Sequence, residues 1–217
     1  MLFDFSGTLF HIETADAAVR AALGAGLVQH VAELERLGAI NGSSPPADLP
    51  EHLAAVWAER DLSTDAHRAA YSGSALQGGL TAEQAHSLYE RGISADAWTP
   101  YPDTVEALRR LRRAGVPVAV VSNIGWDPRP VLARAGVTDL FDALVLSCER
   151  GVIKPDPRIF EIACAELGVE PGDAVMVGDN AEVDGAATAI GCAFVLVPSE
   201  PDRPADTLLK AIDSVLS

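Results

Sequence analysis

Leu2 to Phe5 is a short apolar run that carries one acid, Asp4, and is closed by a turn at Gly7, the pattern of a buried strand whose acid sits where the strand emerges from a sheet. From Glu13 to Thr99 the periodicity changes and predicts helices with no convincing strand. Ala, Leu and Val recur at three- and four-residue spacing through Thr14–Leu37, although Gly24 and Gly26 weaken the middle of that stretch. Asn41–Pro46 reads as a loop. Pro50–Arg60 and Asp65–Leu76 read as further helices, the first with Leu53, Val56 and Trp57 on one side. Thr81 followed three residues later by Gln84 has the form of a capping box, opening a helix that runs to about Arg91 and ends at Gly92.

Past Tyr101 the pattern changes again. Asp103–Ala114 is a predicted helix with Val105, Leu108 and Leu111 on its apolar side, and it leads into the continuous apolar run Pro117–Ser122. A helix over about Pro130–Ala135 and a strand over Ala143–Leu146 follow. Asp156 caps a predicted helix that starts with Pro157 and stops at Gly168. Then come a strand at Ala174–Val177, a helix at Ala181–Ile190, a strand at Ala193–Val197 and a closing helix at Ala205–Leu216. Strands that are apolar throughout, alternating with helices, predict an α/β fold: a Rossmann-like, doubly wound parallel sheet covered on both faces. The helical stretch after the first strand predicts a small α-helical cap. The domain organisation expected is therefore a core of residues 1–12 and 100–217 and a cap of residues 13–99.

Composition narrows the partners. The 217 residues are long enough for one good-sized core plus an insert, and 48% hydrophobic with 22% charged residues suits a globular chain. A formal net charge of −15 repels phosphate backbones and anionic lipid, so neither nucleic acid nor a membrane surface is an expected partner. Cys148, Cys164 and Cys192 lack metal-ligand spacing, and no leader or long apolar run is recognisable. They are read as packed, reduced thiols of a cytoplasmic protein. The pattern specifies no oligomeric state. Lysine is scarce: only Lys154 and Lys210 occur.

In a doubly wound sheet, ligands bind beyond the carboxyl ends of the strands, near the point where strand order reverses. Asp4, Ser122 and Asp179 all fall at predicted strand ends. A carboxylate in the place of Asp4 can act as a nucleophile, and Ser122–Asn123, Lys154 and the run from Gly178–Asp179–Asn180 to Asp184 offer what attack on a phosphate ester needs. Singly, each has a plain structural reading. Lys154 would be a solvated loop lysine, Ser122 a strand end, and Asp179 and Asp184 a helix cap and a first-turn acid. Their order along one chain is what points to chemistry.

That order resembles the haloacid dehalogenase superfamily. Asp4–Leu9, Val121–Asn123, Lys154–Pro157 and Val177–Asn180 through Asp184 look like its four motifs, and the predicted helical insert is similar to the cap that some members carry after the first motif. The resemblance implies a hydrolase in which Asp4 is the nucleophile and forms an aspartyl-phosphate. It implies a Mg²⁺ held by Asp4, the backbone carbonyl of Ser6, Asp179 and Asp184, the last as a ligand or as an acceptor behind the ligands. Ser122 and Asn123 would donate to phosphate oxygens, Lys154 would offset charge developing on transfer, and the substrate would be a small phosphorylated metabolite.

Ser6 departs from this pattern. Phosphatases of the superfamily typically place there a second aspartate that serves as acid and base, a role worth about 10² to 10⁴ in rate. Three readings follow: a phosphatase that is slow or selective for good leaving groups, with His11, water or a cap residue as substitute; a 2-haloacid dehalogenase; or a protein that binds a phosphorylated ligand without turnover. A phosphonatase would need a cap lysine, and residues 13–99 contain none. Arg20, Arg60, Arg68, Trp57, Trp126 and Asp127 are the candidates for residues that face the substrate.

Overall fold

A computed structural model of the chain describes residues 1–40, 49–199 and 203–216. The predicted loop at Asn41–Pro46 lies outside the described residues. The chain opens with β1 (Leu2–Phe3), β2 (Phe10–Ile12), α1 (Ala15–Leu23), α2 (Val31–Arg36), α3 (Glu51–Glu59), α4 (Thr64–Gln77), α5 (Ala82–Ile93) and β3 (Trp98–Pro100). It continues through α6 (Thr104–Arg113), β4 (Ala119–Ser122), α7 (Arg129–Arg134), β5 (Ala143–Leu146) and α8 (Ser147–Arg150). The last elements are α9 (Arg158–Leu167), β6 (Val175–Gly178), β7 (Ala193–Leu196) and α10 (Thr207–Leu216). Two compact units result. One comprises Met1–His11, Thr99–Asn123 and Leu132–Ser217, the other Ile12–Trp98 and Ile124–Val131.

The first unit is built on a parallel five-stranded sheet of order β5-β4-β1-β6-β7, flanked by helices. β1 is central although it is short. Leu2 pairs with Ala119 on one side and Met176 on the other, and Phe3 with Val120 and Val177. Both side chains are fully buried, which is why this run carries no polar residue before Asp4. α9 sends Ile159, Phe160 and Ala163 into a core shared with Leu2, Val121, Val145 and Met176. Strand order reverses about β1, since the chain builds β4 and β5 to one side before returning to lay β6 and β7 on the other. The carboxyl ends of β1, β4 and β6 are therefore neighbours, and they carry Asp4, Ser122 and Asp179.

The second unit is helical. Its core joins Ala15, Ala18 and Val19 of α1 to Leu34, Ala75, Ala85 and Leu88. The capping box at Thr81 and Gln84 forms as predicted, and Ser63, which the pattern did not single out, caps α4 through the Ala66 N–H.

Several local expectations are corrected. Thr14–Leu37 is not one helix: α1 ends at Gly24 and a 3₁₀ segment, Ala25–His30, separates it from α2. Trp98 and Thr99 lie in a strand, because β2 and β3 pair as a two-stranded ribbon. Pro157, rather than Asp156, occupies the cap position of α9, while the Asp156 carboxylate accepts from the Arg158 N–H at 3.0 Å. Ala181–Ile190 forms turns and a 3₁₀ segment, Gly185–Ile190, in place of an α-helix. Within that stretch the Asp184 side chain turns back to the strand end, where it accepts from the Asn180 N–H and the Lys154 ammonium.

Candidate active site

Asp4 follows β1 and keeps its backbone in the sheet, donating to the Val177 carbonyl at 3.0 Å. The turn after it folds on itself: Gly7 N–H donates to Phe10 O at 2.8 Å and Phe10 N–H to Phe5 O at 2.9 Å. Gly7 has φ of +82°, and a Cβ there would run into the Asp179 carboxylate. Gly178 is similarly placed against the Asp184 carboxylate. Only glycine at these two positions lets the acids approach the strand ends so closely.

Lys154 is 3% exposed. Its ammonium donates to Asp4 Oδ1 and to Asp184 Oδ1, both at 2.6 Å, joining residues 150 and 30 positions away in sequence. Asn123 pins the lysine's backbone from both sides: its Oδ1 accepts from Lys154 N–H at 2.7 Å and its Nδ2 donates to Lys154 O at 2.8 Å. The Asn180 side chain accepts from the Glu182 and Val183 N–H groups, both at 3.0 Å. It thus takes the turn-capping role that the pattern offered to Asp179. Asp184 Oδ2 in turn accepts from Asn180 N–H at 3.0 Å.

Carboxylate oxygens of Asp4, Asp179 and Asp184 all lie within 4.8 Å of one another. Burial pushes the Asp4 carboxyl up to about 7, with Lys154 drawing it down and Asp184 raising it further. Burial and then Asp184 raise Asp179 as well. Burial disfavours the Lys154 ammonium, but Asp4 and Asp184 together outweigh it and hold its pKa above the ordinary value. Two of these three carboxylates pair with the one ammonium and the third stands beside them, an excess of acid that a hard divalent cation with oxygen ligands would relieve. The donor set fits Mg²⁺.

Of the residues singled out from sequence, the structure brings together Asp4, Lys154, Asp179 and Asp184, with Asn123 bonded to the lysine backbone. Ser122 is buried at the end of β4, and Ser6 is exposed in the turn and bridges to Phe10 through its backbone. His11 is exposed, with its ring 5.1 Å from that of Tyr101. The others belong to the second unit. Arg20 pairs with Asp16, Arg68 with Glu90, and Arg60 lies 4.8 Å over the buried Trp57 ring. Trp126 packs on Trp98, and Asp127 accepts from Arg129. The side chains of Asn123 and Asn180 were missed in these roles, although an asparagine one residue beyond a candidate acid or serine is a visible prompt for such a turn.

Comparison with known proteins agrees with this arrangement. Residues 1–191 match the family described as haloacid dehalogenase-like hydrolase, and the chain belongs to that family. A glyceraldehyde 3-phosphate phosphatase of Methanopyrus kandleri is 42% identical over 86 residues, 39% of this chain and 37% of that protein. An (S)-2-haloacid dehalogenase 4A of Burkholderia cepacia is 32% identical over 124 residues, 56% of this chain and 54% of that protein. The chain thus spans between about a third and a half of the length of these curated relatives. The crystal structure of a phosphatase of this superfamily from Thermococcus onnurineus superposes with a TM-score of 0.61 at 25% identity, covering 99% of this chain and 96% of that one. No helix among the described residues is long and apolar enough to cross a membrane.

Proposed function

We propose that this hydrolase is a Mg²⁺-dependent phosphatase of a small phosphorylated metabolite. The single observation that carries the reading is the convergence of Asp4, Asp179 and Asp184 within 4.8 Å of one another, with the buried Lys154 paired to Asp4 and Asp184. Asp4, Asp179, Asp184 and the Ser6 carbonyl would hold the ion, which when bound supplies neutralisation of the acids and polarisation of phosphoryl oxygens. An Asp4 carboxylate oxygen attacks phosphorus, forming an aspartyl-phosphate as the ester P–O bond breaks. Water then cleaves the acyl phosphate, releasing inorganic phosphate and regenerating Asp4. Ser122 and Asn123 orient phosphoryl oxygens, and Lys154 draws the Asp4 carboxyl toward its ionised form and offsets transferred charge.

Ser6 cannot protonate the departing oxygen, because an alcohol has no suitable pKa. The activity is therefore slow on alkyl esters and favours leaving groups that depart without a proton, such as aryl or acyl phosphates. A second reading, hydrolytic dehalogenation of a 2-haloacid, is favoured by Ser6 and by the kinship with Burkholderia cepacia dehalogenase. It leaves Asp179 as an unexplained acid beside a carboxylate-bearing substrate.

The test is hydrolysis of p-nitrophenyl phosphate and halide release from 2-chloropropionate, each with and without Mg²⁺. Cleavage of the phosphate with Mg²⁺, abolished in Asp4→Asn and raised on alkyl phosphates in Ser6→Asp, is the expected result. Halide release that needs no metal would replace this reading with the second. Silence in both assays with retained Mg²⁺ binding would make the chain a binding protein.

A further inference from the structure

Arg203 lies outside the four motifs in sequence, and nothing in its local pattern marks it. Its side chain is 1% exposed and faces Asp103 at 3.6 Å, beyond hydrogen-bond reach. Its guanidinium carbon sits 3.7 Å over the Tyr101 ring. Nη1 turns to two backbone carbonyls, Gly7 O at 3.3 Å and Pro198 O at 3.4 Å, while Nε and Nη2 find no hydrogen-bond partner among the described residues. A guanidinium buried only to neutralise an acid would be expected to use its paired donors on both carboxylate oxygens. Here Asp103 Oδ2 instead accepts from the Leu208 and Leu209 N–H groups at 2.6 and 3.2 Å, holding the start of α10.

The two carbonyls that Arg203 holds flank one acid. Gly7 lies in the turn directly after Asp4, and the space of its missing Cβ is taken by the Asp179 carboxylate, with Ser199 Cβ 3.0 Å away. The Ser199 side chain acts on that carboxylate as a hydrogen-bond partner, and the Ser199 carbonyl is held by the Tyr101 hydroxyl at 2.9 Å. Arg203 therefore ties the Asp4 turn to the segment that steadies Asp179.

We propose that Arg203 is a positioning residue: by holding the Gly7 and Pro198 carbonyls together it sets the spacing between the Asp4 turn and Asp179. The inference rests on the reading of these acids given under the proposed function. It adds that the spacing is fixed by a guanidinium bonded to backbone carbonyls and not to the acids themselves. Groups placed behind metal ligands commonly change metal affinity about 10- to 100-fold when removed.

Two readouts test this in the full chain, namely Mn²⁺ affinity and hydrogen–deuterium exchange of the stretch from Phe5 to Phe10. Arg203→Met is expected to weaken Mn²⁺ binding at least about tenfold and to speed exchange in that stretch. Arg203→Lys, which can hold one carbonyl, restores part of both and covers the case in which Arg203→Met folds poorly. Ile212→Ala, a fully buried α10 residue, serves as the stability control. It should lower the melting temperature while leaving both readouts in place. Unchanged readouts in Arg203→Met, or equal changes in Ile212→Ala at a matched loss of melting temperature, overturn the proposal. Wild-type protein that binds no Mn²⁺ would overturn the metal reading instead, and exchange in Arg203→Met would then decide the hold of Arg203 on the turn by itself.

Discussion

Each unit buries polar groups, and the two do so in opposite ways. In the helical unit, His67 Nδ1 lies 3.1 Å from the Tyr89 hydroxyl, the His67 ring packs on Tyr71 at 4.5 Å, and Trp57 Nε1 donates to Ser74 Oγ at 3.0 Å. Burial, then Arg60, lowers His67 to about 4, and burial pushes Tyr71 up to about 12, so both remain neutral at pH 7. In the sheet unit the acids outnumber the bases: Asp4, Asp179 and Asp184 stand within 4.8 Å of one another, and Lys154, bonded to Asp4 and Asp184, is the one ammonium beside them. Neutral partners matched one to one are what packing alone produces. An uncompensated buried cluster works against folding, and its persistence at adjoining strand ends marks the place where the molecule acts on something.

The contrast can be broken most forcefully at Lys154. Lys154→Met strips the only ammonium from Asp4 and Asp184, and loss of one partner of such a buried set should cost about 3–5 kcal/mol in urea unfolding. A loss below about 1 kcal/mol would mean the acids are not relying on it. The helical cluster should respond to acid instead. His67 has a folded-state pKa below its unfolded one, so the unfolded chain binds the extra proton between pH 6.5 and about 4. The stability present above pH 6.5 is lost as pH falls through that window, by up to about 3 kcal/mol. Unfolding free energies of wild type and His67→Gln, compared from pH 7 to 4, should diverge by that amount, and parallel curves would refute it.

Asn123→Ala removes both hydrogen bonds that frame Lys154 and should cost about 2 kcal/mol in stability. It should also lower kcat more than it raises KM in the phosphatase assay; an unchanged kcat would show that the lysine needs no such frame. The smallest effect belongs to the helical unit. Thr81→Ala deletes one arm of the capping box and should cost about 1 kcal/mol with turnover unchanged, as read by calorimetry beside the same assay.

Much of the sheet and of its acidic rim was legible in sequence because each signal is local. Leu2 and Phe3 are apolar without interruption, Asp4 and Asp179 come where apolar runs stop, and Lys154 stands before Pro-Asp-Pro in a chain nearly devoid of lysine. The β2–β3 ribbon was not legible. Its strands are three residues each, and both mix buried and exposed positions. The bend at Ala181–Ile190 escaped because Asp184, which looks like a first-turn acid, is turned inward by a lysine 30 positions earlier. Arg203 escaped for the same reason on a larger scale, since the carbonyl of Gly7 lies 196 positions away. Partners chosen across the fold leave no periodicity to read.

The place of β1 at the middle of the sheet has a consequence for biosynthesis. Its two neighbours begin at Ala119 and Val175, so a polypeptide released from the ribosome only as far as residue 174 has one flank of β1 still open. During that interval Leu2 and Phe3 present an unpaired strand edge and bare apolar surface to other molecules, the condition under which edge-to-edge association begins. The length of that exposure is therefore set by how quickly the last fifth of the chain is synthesised.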